Sequence, residues 1–128
     1  EISCSLVGSE MCIRDRVNYG GMEKNYLETS GSSIMAYAIL KGVRLGYLPE
    51  NYREYAEKAI NGICDKYLNI KDGEMSLGGI CLVAGLGGKG NRPGTYDYYM
   101  SEPIVEDDAK GVGPFLLAYT EMLAYKNR

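Results

Sequence analysis

NYREYAEKAINGICDKYLN, residues 51–69, decides how the rest of the chain is read. Tyr52, Tyr55, Ala56, Ala59, Ile60, Ile63, Cys64, Tyr67 and Leu68 fall at i, i+3, i+4 and i+7. Arg53, Glu54, Glu57, Lys58, Asn61, Asp65 and Lys66 fill the opposite face. That spacing predicts an amphipathic helix with one dry face and one wet one. Pro49 suits its start, and Glu54 with Lys58 makes a favourable i, i+4 pair. Upstream, SSIMAYAILKGVRLG (32–46) is apolar nearly all round. It predicts a helix covered on more than one side, capped by Ser30, Ser32 or Ser33 and ended by Gly46. A third helix is expected over about 108–125, through Phe115, Leu116, Leu117, Ala118, Tyr119, Met122 and Leu123. Pro114 inside it demands a late start or a local kink.

Residues 70–107 are rich in glycine and lack helical period, with 80–84 and 96–100 reading as short strands. So long a segment is more than a plain connection. One wrapped helix, one amphipathic helix and a long Gly-rich loop fit a toroid of paired inner and outer helices. Three helices cannot close such a ring, so the chain is expected to be part of a larger all-α domain.

Composition narrows the function. The 128 residues suffice for one domain, and 17 acidic against 14 basic side chains give a net charge of −3. That balance argues against nucleic-acid or anionic-membrane partners. The chain holds neither His nor Trp, which excludes His-dependent triads and His-based zinc sites. The four cysteines form no Cys-x-x-Cys, and Cys64 and Cys81 read as buried free thiols. Residues 1–16, EISCSLVGSEMCIRDR, show neither periodicity nor the pattern of a signal peptide. GSEMCIRDR resembles translated sequencing-adapter read-through, so 1–16 are expected to be non-native, with 17–128 the C-terminal portion of a single domain.

Each motif has a bland reading beside a sharper one. GLGGKG (85–90) satisfies G-x-G-x-x-G, yet NRPG follows where a phosphate-binding helix should open, so a tight loop is expected. Glu106, Asp107 and Asp108 stand before a helix, where carboxylates cap and favour the dipole. Glu28, Ser30, Ser32 and Ser33 are either a cap or hydrogen-bonding groups at the mouth of a barrel. Tyr96, Tyr98 and Tyr99 beside Ser101 and Glu102 suit sugar rings, with a Tyr-rich strand packed on the core as the competing reading.

Three blocks carry a resemblance: EKNYLETSGSSIMAYAILKGVRLGYL (23–48), CLVAGLGG (81–88) and GTYDYYMSEPIVEDDAKGVGPFLLAYTEM (94–122). They resemble the C-terminal part of glycoside hydrolase family 105, the unsaturated rhamnogalacturonyl hydrolases, related to the unsaturated glucuronyl hydrolases. The resemblance implies an (α/α)6 barrel and removal of a terminal 4,5-unsaturated uronic acid from an oligosaccharide left by a pectin lyase. It implies a general-acid Asp that protonates the enol ether at C4, with water adding at C5, and neither metal nor cofactor. That Asp and the family's pocket His and Trp residues lie in the N-terminal portion, so no residue here takes the acid's role. The isolated chain is therefore expected to be inactive and to need the remaining helices of the barrel as partner. Glu28, Ser30, Tyr99, Glu102 and Lys110 are the candidate substrate-binding residues, with Lys110 suited to a substrate carboxylate. The competing reading is a non-catalytic helical module that binds sugar or protein through its Tyr-rich loop.

Overall fold

A computed structural model describes residues 22–85, 87–88 and 90–126. The reading of 1–16 as non-native lies outside the described residues, as do Leu86 and Lys89 of the GLGGKG loop.

The described residues form four helices and four short strands. Helix α1 (Thr29–Arg44) is followed by a 3-10 turn (Glu50–Tyr52) and α2 (Arg53–Tyr67). The strands β1 (Leu68–Lys71) and β2 (Glu74–Leu77) come next, then β3 (Ile80–Cys81). Helix α3 (Tyr96–Ser101), β4 (Ile104–Val105) and α4 (Ala109–Lys126) complete the order. Among the described residues the fold is thus mostly helical, with two small antiparallel sheets, β1–β2 and β3–β4.

The apolar stripes become the core. Ala36, Ile39, Leu40 and Val43 of α1 meet Ala56, Ala59, Ile60 and Ile63 of α2. Phe115, Ala118 and Met122 of α4 close the other side. Helix α1 packs most extensively on α4 and next on α2. The N-terminal turns of α1 and α4 both meet β3, through Thr29 and Gly111. Farther along, Arg44 of α1 pairs with Glu121 of α4. The two helices therefore run parallel, while the short connection to α2 returns it antiparallel to α1. Ile34, Leu116, Leu117 and Leu123 stay exposed on α1 and α4, so the apolar surface of these helices exceeds what three helices cover.

Several expectations need correction. The periodic stretch stops being helical at Tyr67, because Leu68 opens a hairpin with register Leu68↔Leu77 to Lys71↔Glu74. Its two-residue loop, Asp72-Gly73, has φ of 54° and 84°, the left-handed pair that a type I′ turn requires. The 96–100 strand is instead α3, capped by Thr95, whose Oγ1 accepts from Tyr98 N. Helix α4 begins at Ala109 with no late start, and Pro114 within it withdraws the N–H that would reach the Lys110 carbonyl. Cys64 and Cys81 are half-buried rather than buried. The ion pairs of α2 run from Arg53 to Glu50 and Glu57, not between Glu54 and Lys58. Among the described residues no helix is long and apolar enough to cross a membrane.

Candidate functional site

The N-terminus of α1 is organised around a carboxylate. Glu28 is extended, and its side chain folds back over the first turn. Gly31 N donates to Oε2 at 2.6 Å, and Ser30 Oγ lies 2.8 and 2.9 Å from the two oxygens. Glu28 is therefore the N-cap in place of the serines. Ser32 Oγ instead donates back to the Glu28 carbonyl at 2.6 Å, and Ser33 is fully buried within the helix. The same carboxylate reaches across the fold, because Cys81 N donates to Oε1 at 3.1 Å. Thr29 adds two bonds to the adjacent segment, its N to the Gly79 carbonyl at 2.8 Å and its Oγ1 to the Gly78 carbonyl at 2.7 Å.

Helix α3 presents the tyrosines. Tyr96 donates its hydroxyl to the Glu23 carbonyl, tying α3 to the chain before α1. Tyr98 and Tyr99 meet edge to face, with ring centroids 5.4 Å apart. The Glu102 carboxylate, then burial, holds the Tyr98 phenol above its ordinary value. Leu82 N donates to the Pro103 carbonyl at 2.9 Å, so Glu102 sits immediately before the β3–β4 pair. Beyond β4 the acidic run divides its duties. Asp107 N donates to the Leu77 carbonyl, and its Oδ1 accepts from Leu77 N at 2.7 Å, closing the end of β2. Asp108 caps α4: Oδ1 accepts from Lys110 N at 2.9 Å and its carbonyl from Gly111 N and Val112 N. Lys110 Nζ lies 2.7 Å from the same oxygen. These bonds from the Lys110 side chain and backbone hold the Asp108 carboxyl below the usual carboxylate range.

Of the five candidate residues, Glu28 and Ser30 touch one another, and Glu28 reaches β3 through Cys81 N. Glu102 donates its N to the Tyr99 carbonyl and precedes Pro103, whose carbonyl takes Leu82 N just after β3. Lys110 stands beside Gly111, whose Cα faces the buried Ile80 side chain. Two clefts lie apart from the five, one along the hairpin between Asn69, Met75 and Asp107, the other between Tyr67, Gly79 and Val105. Among the described residues no group of three or more acidic or Cys side chains is placed to hold a metal ion. What the arrangement offers is carboxylates, hydroxyls, an ammonium and aromatic edges. Such groups recognise polyhydroxylated rings by hydrogen bonding to the rim and apolar contact with the face. Sequence reasoning missed Thr29 and the Gly78–Gly79 carbonyls, since backbone acceptors leave no mark in residue type.

The model of Glycosyl Hydrolase Family 88 matches residues 16–126. The 24.9 kDa protein in the picA locus of Rhizobium radiobacter is 46% identical over 110 residues, which cover 80% of this chain and 47% of that protein. A family 105 glycoside hydrolase of C. acetobutylicum ATCC 824 superposes with a TM-score of 0.89 at 45% identity, over 96% of this chain and 35% of its own. A possible member of family 105 from Klebsiella pneumoniae gives a TM-score of 0.64 at 33% identity, over 83% of this chain and 25% of its own. The chain thus spans about half the length of the curated relative, and about a third of the C. acetobutylicum hydrolase.

Proposed function

Because the chain belongs to glycosyl hydrolase family 88 and shares its fold with family 105 hydrolases, we propose that it is the C-terminal portion of an unsaturated uronyl hydrolase. Its substrate is a rhamnogalacturonan or pectin oligosaccharide ending in 4,5-unsaturated galacturonic acid. The observation that carries this reading is the agreement with the C. acetobutylicum hydrolase over 96% of the chain. Parallel α1 and α4 with antiparallel α2 fit the alternation of inner and outer helices in an (α/α)6 barrel. Ile34, Leu116, Leu117 and Leu123 then belong to faces covered by the remaining helices.

In this reading the chain supplies part of the pocket, and the general acid stands on the N-terminal portion. Tyr99 offers a ring to the apolar face of the sugar, and Glu102 and Ser30 hydrogen-bond its hydroxyls. Lys110 meets the uronate carboxylate by a charge-assisted bond, leaving Asp108 to do so. The acid delivers a proton to C4, water adds at C5, and the hemiketal opens to release the neighbouring sugar. The reaction needs no metal or cofactor. Running the full-length protein on an unsaturated disaccharide in deuterium oxide tests it. One deuteron at C4 of the released uronic acid is expected, and a product without deuterium there contradicts the proposal.

A further inference from the structure

We infer that Glu28 is a positioning residue: its carboxylate takes the Cys81 N–H on the edge of β3 away from β4 and thereby fixes where Tyr99, Glu102 and Lys110 stand. The role of those three as contacts rests on the proposed function; the anchoring of β3 does not.

In an antiparallel ladder, backbone groups of successive residues point to opposite edges. Leu82 N points toward β4, where it meets the Pro103 carbonyl. The Cys81 N–H and the Gly79 carbonyl therefore point to the other edge. The start of α1 fills that edge. Thr29 N takes the Gly79 carbonyl at 2.8 Å, and Glu28 Oε1 takes the Cys81 N–H at 3.1 Å. One helix terminus thus does the work of a neighbouring strand.

Three features make this more than a cap. Glu28 is 5% exposed, and its carboxylate faces Ser30 Oγ, Gly31 N and Cys81 N, all donors, with no cation paired to it among the described residues. Strands β3 and β4 pair over two residues each, too few to hold their own place. Capping alone favours the shorter Asp, Ser or Asn, so the extra methylene serves reach rather than capping. From β3 the position passes through β4 to Glu102 and Tyr99, and through Ile80 against Gly111 to Lys110.

The decisive variant is Glu28→Asp in the full-length protein. Asp retains an N-cap acceptor for Ser30 and Gly31 but falls one methylene short of Cys81. We expect an unfolding midpoint close to wild type, amide exchange at Cys81 faster by about tenfold, KM for an unsaturated disaccharide higher by about tenfold, and kcat within about twofold. Glu28→Gln is the second variant; it keeps the reach but turns an amide NH2 toward one of three donors, so it too should speed exchange at Cys81. Wild-type exchange at Cys81 in both variants overturns the inference and leaves Glu28 a cap. A raised KM with unchanged exchange also overturns it, because Glu28 then touches substrate directly. If the wild-type protein turns over no unsaturated disaccharide, the proposed function fails, and exchange at Cys81 still decides the role of Glu28.

Discussion

Gly111→Ala tests how tightly β3 is wedged against α4. A Cβ built at Gly111 lies 2.5 Å from Ile80 Cγ1 and 3.2 Å from Cγ2, and closer still to Cδ1. Carbon atoms rest at about 3.5–4 Å, so the Ile80 side chain must retreat by about 1 Å or more. It has little room to do so. Ile80 is fully buried, and β3 is held on one edge by Glu28 and Thr29 and on the other by β4. Overpacking of this kind costs about 1–3 kcal/mol. Replacing a helical glycine by alanine returns about 1 kcal/mol. The net expectation is a loss of about 0–2 kcal/mol, read by urea unfolding of the full-length protein with circular dichroism. Ile80→Ala removes the atoms that clash and by itself costs about 2–5 kcal/mol. In that background Gly111→Ala should become neutral or stabilising, a coupling of about 1–3 kcal/mol between the two sites. A stabilising Gly111→Ala in the wild-type background, or two additive changes, refutes the wedge.

Two further outcomes follow from charge and from the uncovered faces. The Asp108 carboxyl is held below its usual range by Lys110, so its share of stability is present above the ordinary carboxylate value and lost as pH falls through the lower folded one. Asp108→Asn should therefore flatten the acid limb of a stability-versus-pH curve, and an unchanged limb contradicts the pairing. The 128-residue chain expressed alone, with Ile34, Leu116, Leu117 and Leu123 exposed, should self-associate or lose fixed packing in sedimentation and near-UV circular dichroism. A monomer with a sharp, concentration-independent transition counts against the barrel reading.

The helices were legible because burial on one face leaves a period that sequence displays. Ala56, Ala59, Ile60 and Ile63 are all in the core, as their spacing requires. The Gly-rich segment hid more. Asp72-Gly73 is a hairpin signal, but Ile70 and Met75 around it stay about two-thirds exposed, at 68% and 69%, so no alternating dry face marks the strands. The aromatic run at 96–100 has the composition of a strand, and a threonine cap with a tied-down Tyr96 made it helical instead. At the candidate site, residue type named groups that can bind a sugar but not the bonds they make. Glu is an unfavoured cap, so its place at the head of α1 depends on Cys81, 53 residues away, offering a backbone N–H. Contacts of that kind are set by tertiary packing, which local propensity does not encode.

In the proposed function this chain builds part of a pocket for unsaturated uronides. The most direct test is the time course of enol-ether absorbance when the full-length protein meets an unsaturated rhamnogalacturonan disaccharide. Steady loss of the band is expected with wild-type protein, and a slower loss at low substrate when Lys110 is replaced by Met. An absorbance that stays constant over the course of the assay contradicts the proposed function.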